Sequence, residues 1–147
     1  LERRHDGGGN YLTAAIVAEF YKEGIWNHAK VTNASLKEKR DLTIRGLKEQ
    51  LDDLCIWSKP VGGLFLWVRI PDDVNRQKLY ELSLQRGFKY LLGSSFHYRG
   101  KDVPYLRLAF GHLKAKQIEE GIPVLAQCLR EARTSNQARQ FESLFMS

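Results

Sequence analysis

Cysteine and long apolar runs are both scarce in this sequence, and each shortage excludes a class of protein. Cys55 and Cys128 are the two cysteines among 147 residues. They are too few for a disulfide-dense secreted scaffold, and their spacing matches no metal-ligand pair. The longest apolar run, residues 63–68, has the length of a strand, well short of the roughly 18 residues that span a bilayer. We therefore expect a reduced, cytoplasmic protein with no membrane partner.

Histidine is sparse as well, and familiar catalytic motifs are missing. The four histidines fall on four different predicted elements, with none at the spacing of a local ligand pair: His5, His28, His97 and His112. No G-x-S-x-G elbow is present, and the glycines of residues 7–9 lack the G-x-G-x-x-G spacing. We expect neither a metal site nor a serine hydrolase, and we interpret residues 1–10 as an exposed lead-in.

Positive charge exceeds negative charge, but it is not concentrated. The 23 lysines and arginines outnumber 17 aspartates and glutamates, for a net charge of +6. A basic helix face over residues 37–48 is interleaved with Glu38 and Asp41, which is typical of a solvated face. Nucleic-acid binding needs a clustered basic patch beside stacking aromatic residues. We therefore do not expect a nucleic-acid partner.

Length and patterning predict one domain of ordinary size, or one domain plus appended segments. The chain is 43% hydrophobic and 27% charged, enough to bury a core, and it is too short for a TIM barrel. Periodicity and breakers predict helices over residues 12–22, 35–53 and 75–85 and from about 114 onward, with strands over 56–58, 64–70, 88–91 and 105–110. Pro123 predicts a kink or a restart in the last helix.

The order of these elements, α-α-β-β-α-β-β-α, predicts an α+β fold. The first two strands flank a Pro-Val-Gly-Gly turn and predict a hairpin. A single connection is long enough for a parallel crossover. We therefore expect a small sheet with helices on one face.

Arg107 is the unusual residue of the sequence. It lies inside the apolar strand over residues 105–110, where alternation places it on one face with Tyr105 and Ala109. A buried guanidinium is costly unless it is paired, and its planar fork matches a carboxylate. Arg107 therefore either pairs with an Asp or Glu of the chain or faces a cavity that receives a carboxylate ligand.

Several short motifs, taken in order, resemble a known family. The run Ser-Lys-Pro-Val-Gly-Gly-Leu-Phe-Leu-Trp-Val at residues 58–68 is similar to the hairpin in the C-terminal small domain of class I/II, fold-type I aminotransferases. The run Tyr-Leu-Arg-Leu-Ala-Phe-Gly at residues 105–111 is similar to the carboxylate-binding strand of that domain. Shorter matches fit the same domain: Arg40-Asp41, Gly87-Phe88, residues 93–96 and the closing helix over 117–132.

The resemblance covers about residues 7–133, and the nearest branch is that of the aminoadipate, aromatic and MocR-like aminotransferases. It implies a division of the chain into three parts. These would be a lead-in and helix from the end of the large domain (1–30), the small domain (31–133) and a C-terminal tail (134–147).

The family's site implies roles for particular residues. Arg107 would be a bidentate clamp on the α-carboxylate of an amino acid or oxo acid. The substrate-binding residues would be Arg107, Gly93 and Phe96. The residues at the dimer interface, near the partner's site, would be Gly8, Gly9 and Asn10. The family usually introduces the turn at Gly93 with Pro-Gly, whereas Leu92 precedes it in this sequence.

The resemblance also implies pyridoxal 5'-phosphate as cofactor, an amino acid and a 2-oxo acid as substrates, and a homodimer. The family's Schiff-base lysine lies in a Ser-x-x-Lys stretch of the large domain, and no such stretch occurs in this sequence. We therefore expect the chain to be the C-terminal part of a longer enzyme, to need the missing large domain, and to be inactive alone. A start at Leu1 agrees with this expectation.

Two other interpretations stay open. An aminotransferase-like domain that senses cofactor or amino acid in a transcriptional regulator would carry the same motifs. A free-standing basic α+β module that binds nucleic acid or a protein would have the same composition.

Overall fold

The computed structural model describes residues 10–134. Its elements, in chain order, are α1 (Tyr11–Glu23), α2 (Ile25–Leu51), β1 (Ile56–Trp57), β2 (Phe65–Arg69), α3 (Arg76–Gln85), β3 (Leu91–Leu92), a 3₁₀ turn (Gly93–Phe96), β4 (Tyr105–Ala109) and α4 (Ala115–Glu131). The chain divides into two compact units, Leu1–Ser35 and Leu36–Ser147. The predicted domain boundaries stay predictions.

The first unit begins with α1, and a hydrogen bond closes each end of this helix. Asn10 Oδ1 accepts the backbone N–H of Thr13 at 3.2 Å, and the Gly24 N–H donates to the Phe20 carbonyl at 2.8 Å. α2 then starts at Ile25, so the predicted start near residue 35 is wrong. Residues 25–34 contain neither glycine nor proline, so no helix breaker separates them from the rest of α2.

Four strands form one antiparallel sheet in the order β1-β2-β4-β3. β1 and β2 make the predicted hairpin, and the register aligns Trp67 of β2 and Leu91 of β3 with Arg107 of β4. α3 connects β2 to β3, but β4 lies between these two strands. The four described strands therefore contain no parallel neighbours, and the predicted α+β class and element order are confirmed.

The core lies between the sheet and helices α2, α3 and α4. Alternate residues of β2 and β4 are buried and pack with apolar side chains of these helices: Leu47, Leu51, Leu66, Val68, Leu79, Leu106, Leu108, Ile118, Ile122, Leu125 and Leu129. Burial of each such side chain stabilises the fold by about 2 kcal/mol. The helices cover one face of the sheet, as the sequence predicted.

α4 runs through Pro123 as one helix. Of the predicted kink or restart, the restart is therefore wrong and the kink stays a prediction. Proline has no N–H to donate to the preceding turn and so removes one helix hydrogen bond. Ile122 and Leu125 are buried on either side of it, and their packing holds both halves of the helix against the core. Gly46 of α2 lies against Ile122, 3.4 Å from where a Cβ would stand, so a larger side chain would crowd this helix contact.

The strand predicted over residues 88–91 begins later, at Leu91. Gly87 has a φ of +74°, and the Phe88 N–H donates to the Ser83 carbonyl at 2.8 Å. These two residues close the C-terminus of α3. Phe88 is therefore tied to the helix end and does not start the strand.

Candidate carboxylate site on the open sheet face

The sheet face that helices α2, α3 and α4 leave uncovered carries mostly aromatic side chains. We call it the open face and define it by Phe65, Trp67, Leu91, Tyr105 and Arg107. All five side chains are accessible to solvent, while the residues between them in β2 and β4 are buried. This alternation follows from the period of two along a strand.

The guanidinium of Arg107 lies between two phenyl rings. Its Cζ is 4.1 Å from the centroid of the Phe65 ring and 4.1 Å from that of the Phe96 ring. One guanidinium thus contacts a ring of β2 and a ring of the 3₁₀ turn. Each such cation–π contact stabilises the arginine by about 1 kcal/mol.

Within residues 10–134, no carboxylate forms an ion pair with Arg107, and its N–H donors make no hydrogen bond. Other arginines of the same unit are paired: Arg76 with Asp102, and Arg86 with Glu131. Pairing with an Asp or Glu of the chain was one of the two alternatives that the sequence left open for Arg107. It finds no partner among the described residues, whereas the guanidinium is accessible to a ligand.

Trp67 supports the arrangement from the neighbouring strand. It is the cross-strand partner of Arg107, and its ring makes edge contacts with Phe96 at 5.4 Å and with Tyr105 at 6.5 Å. The sequence interpretation missed Phe65 and Trp67 as site residues. Alternation places the two on one face of β2, but the pairing of β2 with β4 that brings them to Arg107 has no signal in a single sequence.

Gly93 and Phe96, predicted to bind substrate, lie at the two ends of the 3₁₀ turn. The Phe96 ring contacts Arg107 directly. Gly93 is buried, and a Cβ there would lie 2.9 Å from both the Tyr105 Cβ and the Val103 Cγ2. Gly93 therefore lets the turn approach β4 closely, and this approach brings Phe96 to the guanidinium.

Of the three residues predicted at a dimer interface, Gly8 and Gly9 lie outside the described residues. Asn10 caps α1 through its side chain. Its predicted place at an interface stays a prediction.

The loop between β1 and β2, which leads into Phe65, is held by Arg40 of α2. Its Nη1 donates to the carbonyls of Val61 at 3.2 Å and Pro60 at 3.4 Å, while its Nε donates to Asp41 Oδ1 at 2.8 Å. The hydrogen bond from Arg40 holds the pKa of the Asp41 carboxyl below its usual range. The Arg40-Asp41 pair that the resemblance singled out thus supports the hairpin.

Residues 10–134 lack two features that would indicate a metal or a membrane partner. No group of three His, Cys, Asp or Glu side chains could hold a metal ion, and no helix is long and apolar enough to cross a membrane. Cys55 and Cys128 are buried and free, and burial raises the pKa of the Cys55 thiol to about 12.

Known proteins resemble the chain in both sequence and fold, although no protein-family model matches it. It is 33% identical over 122 residues to an uncharacterized aminotransferase of Saccharolobus solfataricus, covering 81% of this chain and 30% of that protein. It is 26% identical over 132 residues to an uncharacterized HTH-type transcriptional regulator of Bacillus subtilis, covering 89% and 27%. The α-aminoadipate aminotransferase of Thermus thermophilus, solved with N-(5'-phosphopyridoxyl)-L-leucine, shares the fold with a TM-score of 0.73 at 24% identity, over 79% of this chain and 30% of that one.

The fold defines the class first: a small α+β domain whose antiparallel sheet has helices on one face. The similarities then confirm the resemblance that the sequence predicts: the chain is related in sequence to aminotransferases and shares the fold of part of one. The chain spans under a third of the length of each of the three proteins compared.

Proposed function

We propose that the chain is the C-terminal part of a pyridoxal-phosphate-dependent aminotransferase, which transfers an amino group between an amino acid and a 2-oxo acid. One observation carries the proposal: the Arg107 guanidinium is flanked by two rings on an open face and is in no ion pair within residues 10–134. The aminotransferase relatives support it.

In this proposal Arg107 holds the α-carboxylate of the substrate. The planar guanidinium offers parallel N–H donors that match the two carboxylate oxygens. Fixing the carboxylate orients the rest of the substrate, and positioning of this kind contributes several kcal/mol, up to about 10, toward lowering a reaction barrier. We also propose that this part of the protein moves to close over the bound substrate.

The residues of the open face fit the substrate rather than the cofactor. They supply one cation and several aromatic rings, whereas a Schiff base needs a lysine amine, and the Ser-x-x-Lys stretch is absent from the sequence. Pyridoxal phosphate, when bound, supplies an electron sink for amino-group chemistry. We assign its lysine to the part of the relatives' length that this chain does not span, and we expect the 147-residue chain alone to be inactive.

A transcriptional regulator with an aminotransferase-like domain is the second candidate. The Bacillus subtilis relative, an HTH-type regulator, matches 89% of the chain. In a regulator the same arginine would hold the carboxylate of a sensed amino acid. A homodimer, a cytoplasmic location and the lack of a nucleic-acid contact by this chain stay predictions in both cases.

The test is an activity measurement on the full-length protein that carries this chain. The protein is loaded with pyridoxal phosphate and incubated with each amino acid and 2-oxoglutarate, and glutamate formation is measured by chromatography. The aminotransferase proposal predicts glutamate with at least one amino donor, and none from the 147-residue chain. Amino-acid binding without amino transfer, together with binding to its own promoter DNA, would instead establish the regulator.

A further inference from the structure

We propose that Phe65 and Phe96 are positioning residues that hold the Arg107 guanidinium in one plane, so that a carboxylate meets it edge-on. The inference rests on the proposed function, because it concerns the same carboxylate site. It adds Phe65 to that site and gives Phe96 a role that acts through Arg107.

The geometry limits where a ligand can approach Arg107. Both ring centroids are 4.1 Å from the guanidinium carbon, and the rings come from different elements, Phe65 from β2 and Phe96 from the 3₁₀ turn. The guanidinium carbon therefore lies over both rings. The N–H donors point outward in the guanidinium plane and make no hydrogen bond within residues 10–134, so we infer that an anion meets them at that edge.

Flanking rings improve such a clamp in two ways. A free arginine side chain populates many rotamers, and binding is weaker when that freedom is lost only at the moment of binding. Two rings in contact with the guanidinium restrict it before the ligand arrives. They also displace water from around it, and a lower local dielectric strengthens the hydrogen bonds that its N–H donors make.

Each ring is itself held in place. Phe65 is paired with Ala109 in the β2–β4 ladder, and the Phe110 N–H donates to the Leu64 carbonyl at 3.0 Å just before it. Phe96 has the edge of Trp67 against it, with centroids 5.4 Å apart. The arrangement is thus built into the strand and turn backbone.

The experiment measures binding of N-(5'-phosphopyridoxyl)-L-leucine to the cofactor-free full-length protein by calorimetry. This probe carries an α-carboxylate, and pyridoxal phosphate, which has none, is the comparison ligand. The variants are Phe65→Leu, Phe96→Leu and Phe96→Tyr, each with Arg107 intact, and the two leucine variants also in an Arg107→Ala background. Tyr98→Leu is the matched control, because Tyr98 is an exposed ring whose contacts are with His97 and Arg99.

Loss of one flanking ring should weaken binding of the probe about 10-fold, in line with a partly desolvated cation–π contact. Phe96→Tyr keeps a ring and should retain the parent affinity, as should Tyr98→Leu. Affinity for pyridoxal phosphate should stay within about twofold, since that ligand does not use the clamp. A folding defect would weaken the binding of both ligands. In the Arg107→Ala background the leucine substitutions should have no further effect.

Two results would overturn the inference while leaving the proposed function intact. One is parent-like affinity of both leucine variants beside a clear loss in Arg107→Ala. The other is an undiminished loss from Phe65→Leu and Phe96→Leu in the Arg107→Ala background, which would show that the rings touch the ligand directly. Parent-like affinity of Arg107→Ala for the probe would contradict the proposed function and this inference together.

Discussion

Single residues set the geometry of the candidate site. One is a glycine that allows a close approach of the backbone, and the others have planar side chains. Gly93 brings the 3₁₀ turn against β4, and the rings of Phe65 and Phe96 both contact the guanidinium of Arg107. The sequence alone singled out Arg107, because a charge inside an apolar strand is costly. Phe65 and Trp67 look like ordinary strand residues until the partner strand is known.

Gly93→Ala should destabilise the chain by about 2 kcal/mol, because the new Cβ would lie 2.9 Å from two side-chain carbons. Urea unfolding measures the loss. Gly62→Ala is the control: no atom lies within 4 Å of a Cβ at that exposed position. Equal stability of Gly93→Ala and the parent would show that the turn is not closely packed against β4.

Tyr90 should make stability depend on pH in the alkaline range. Burial raises the pKa of its phenol from 10.0 to about 12, so the fold favours the neutral form. The stabilisation that Tyr90 gives to the fold is fully present below pH 10 and is lost as the pH rises toward 12. Between pH 8 and pH 11, the urea concentration at the midpoint of unfolding should therefore fall further for the parent than for Tyr90→Phe. An equal fall would contradict the raised pKa.

At the scale of elements, local signals predicted α1, the β1–β2 hairpin and α3. They failed where a signal was missing or was overruled. No glycine or proline marks a break near residue 35, so α2 continues through the predicted boundary. The Phe88 N–H closes α3 and delays β3, while core packing carries α4 through Pro123. Strand order, which depends on long-range pairing, was not predictable.

Arg40→Ala should destabilise the β1–β2 loop and lower the free energy of unfolding by about 2 kcal/mol, because charged hydrogen bonds to two backbone carbonyls are lost. Arg45→Ala is the matched control on the same helix. Arg45 is exposed and makes no hydrogen bond among the described residues, so its removal should be nearly neutral. If both variants unfold at the same urea concentration, Arg40 does not hold the loop.

At the scale of the whole molecule, the chain is related to proteins of which it matches under a third of the length. Its sheet has one face packed in the core and one face that carries Arg107. Sequence resemblance predicted the α+β fold, and the carboxylate-binding role of β4, which stays a prediction, rests on the same residues as its apolar alternation. Enzyme and regulator share the domain, so a single chain of this kind does not separate them.

The central claim is that Arg107 binds a substrate carboxylate, and one measurement tests it most directly. Calorimetry compares the full-length protein with its Arg107→Ala variant for N-(5'-phosphopyridoxyl)-L-leucine and for pyridoxal phosphate. Loss of a charge-assisted bidentate pair should weaken binding of the leucine conjugate about 100-fold and leave binding of pyridoxal phosphate unchanged. Equal affinity of parent and variant for the conjugate would contradict the carboxylate site.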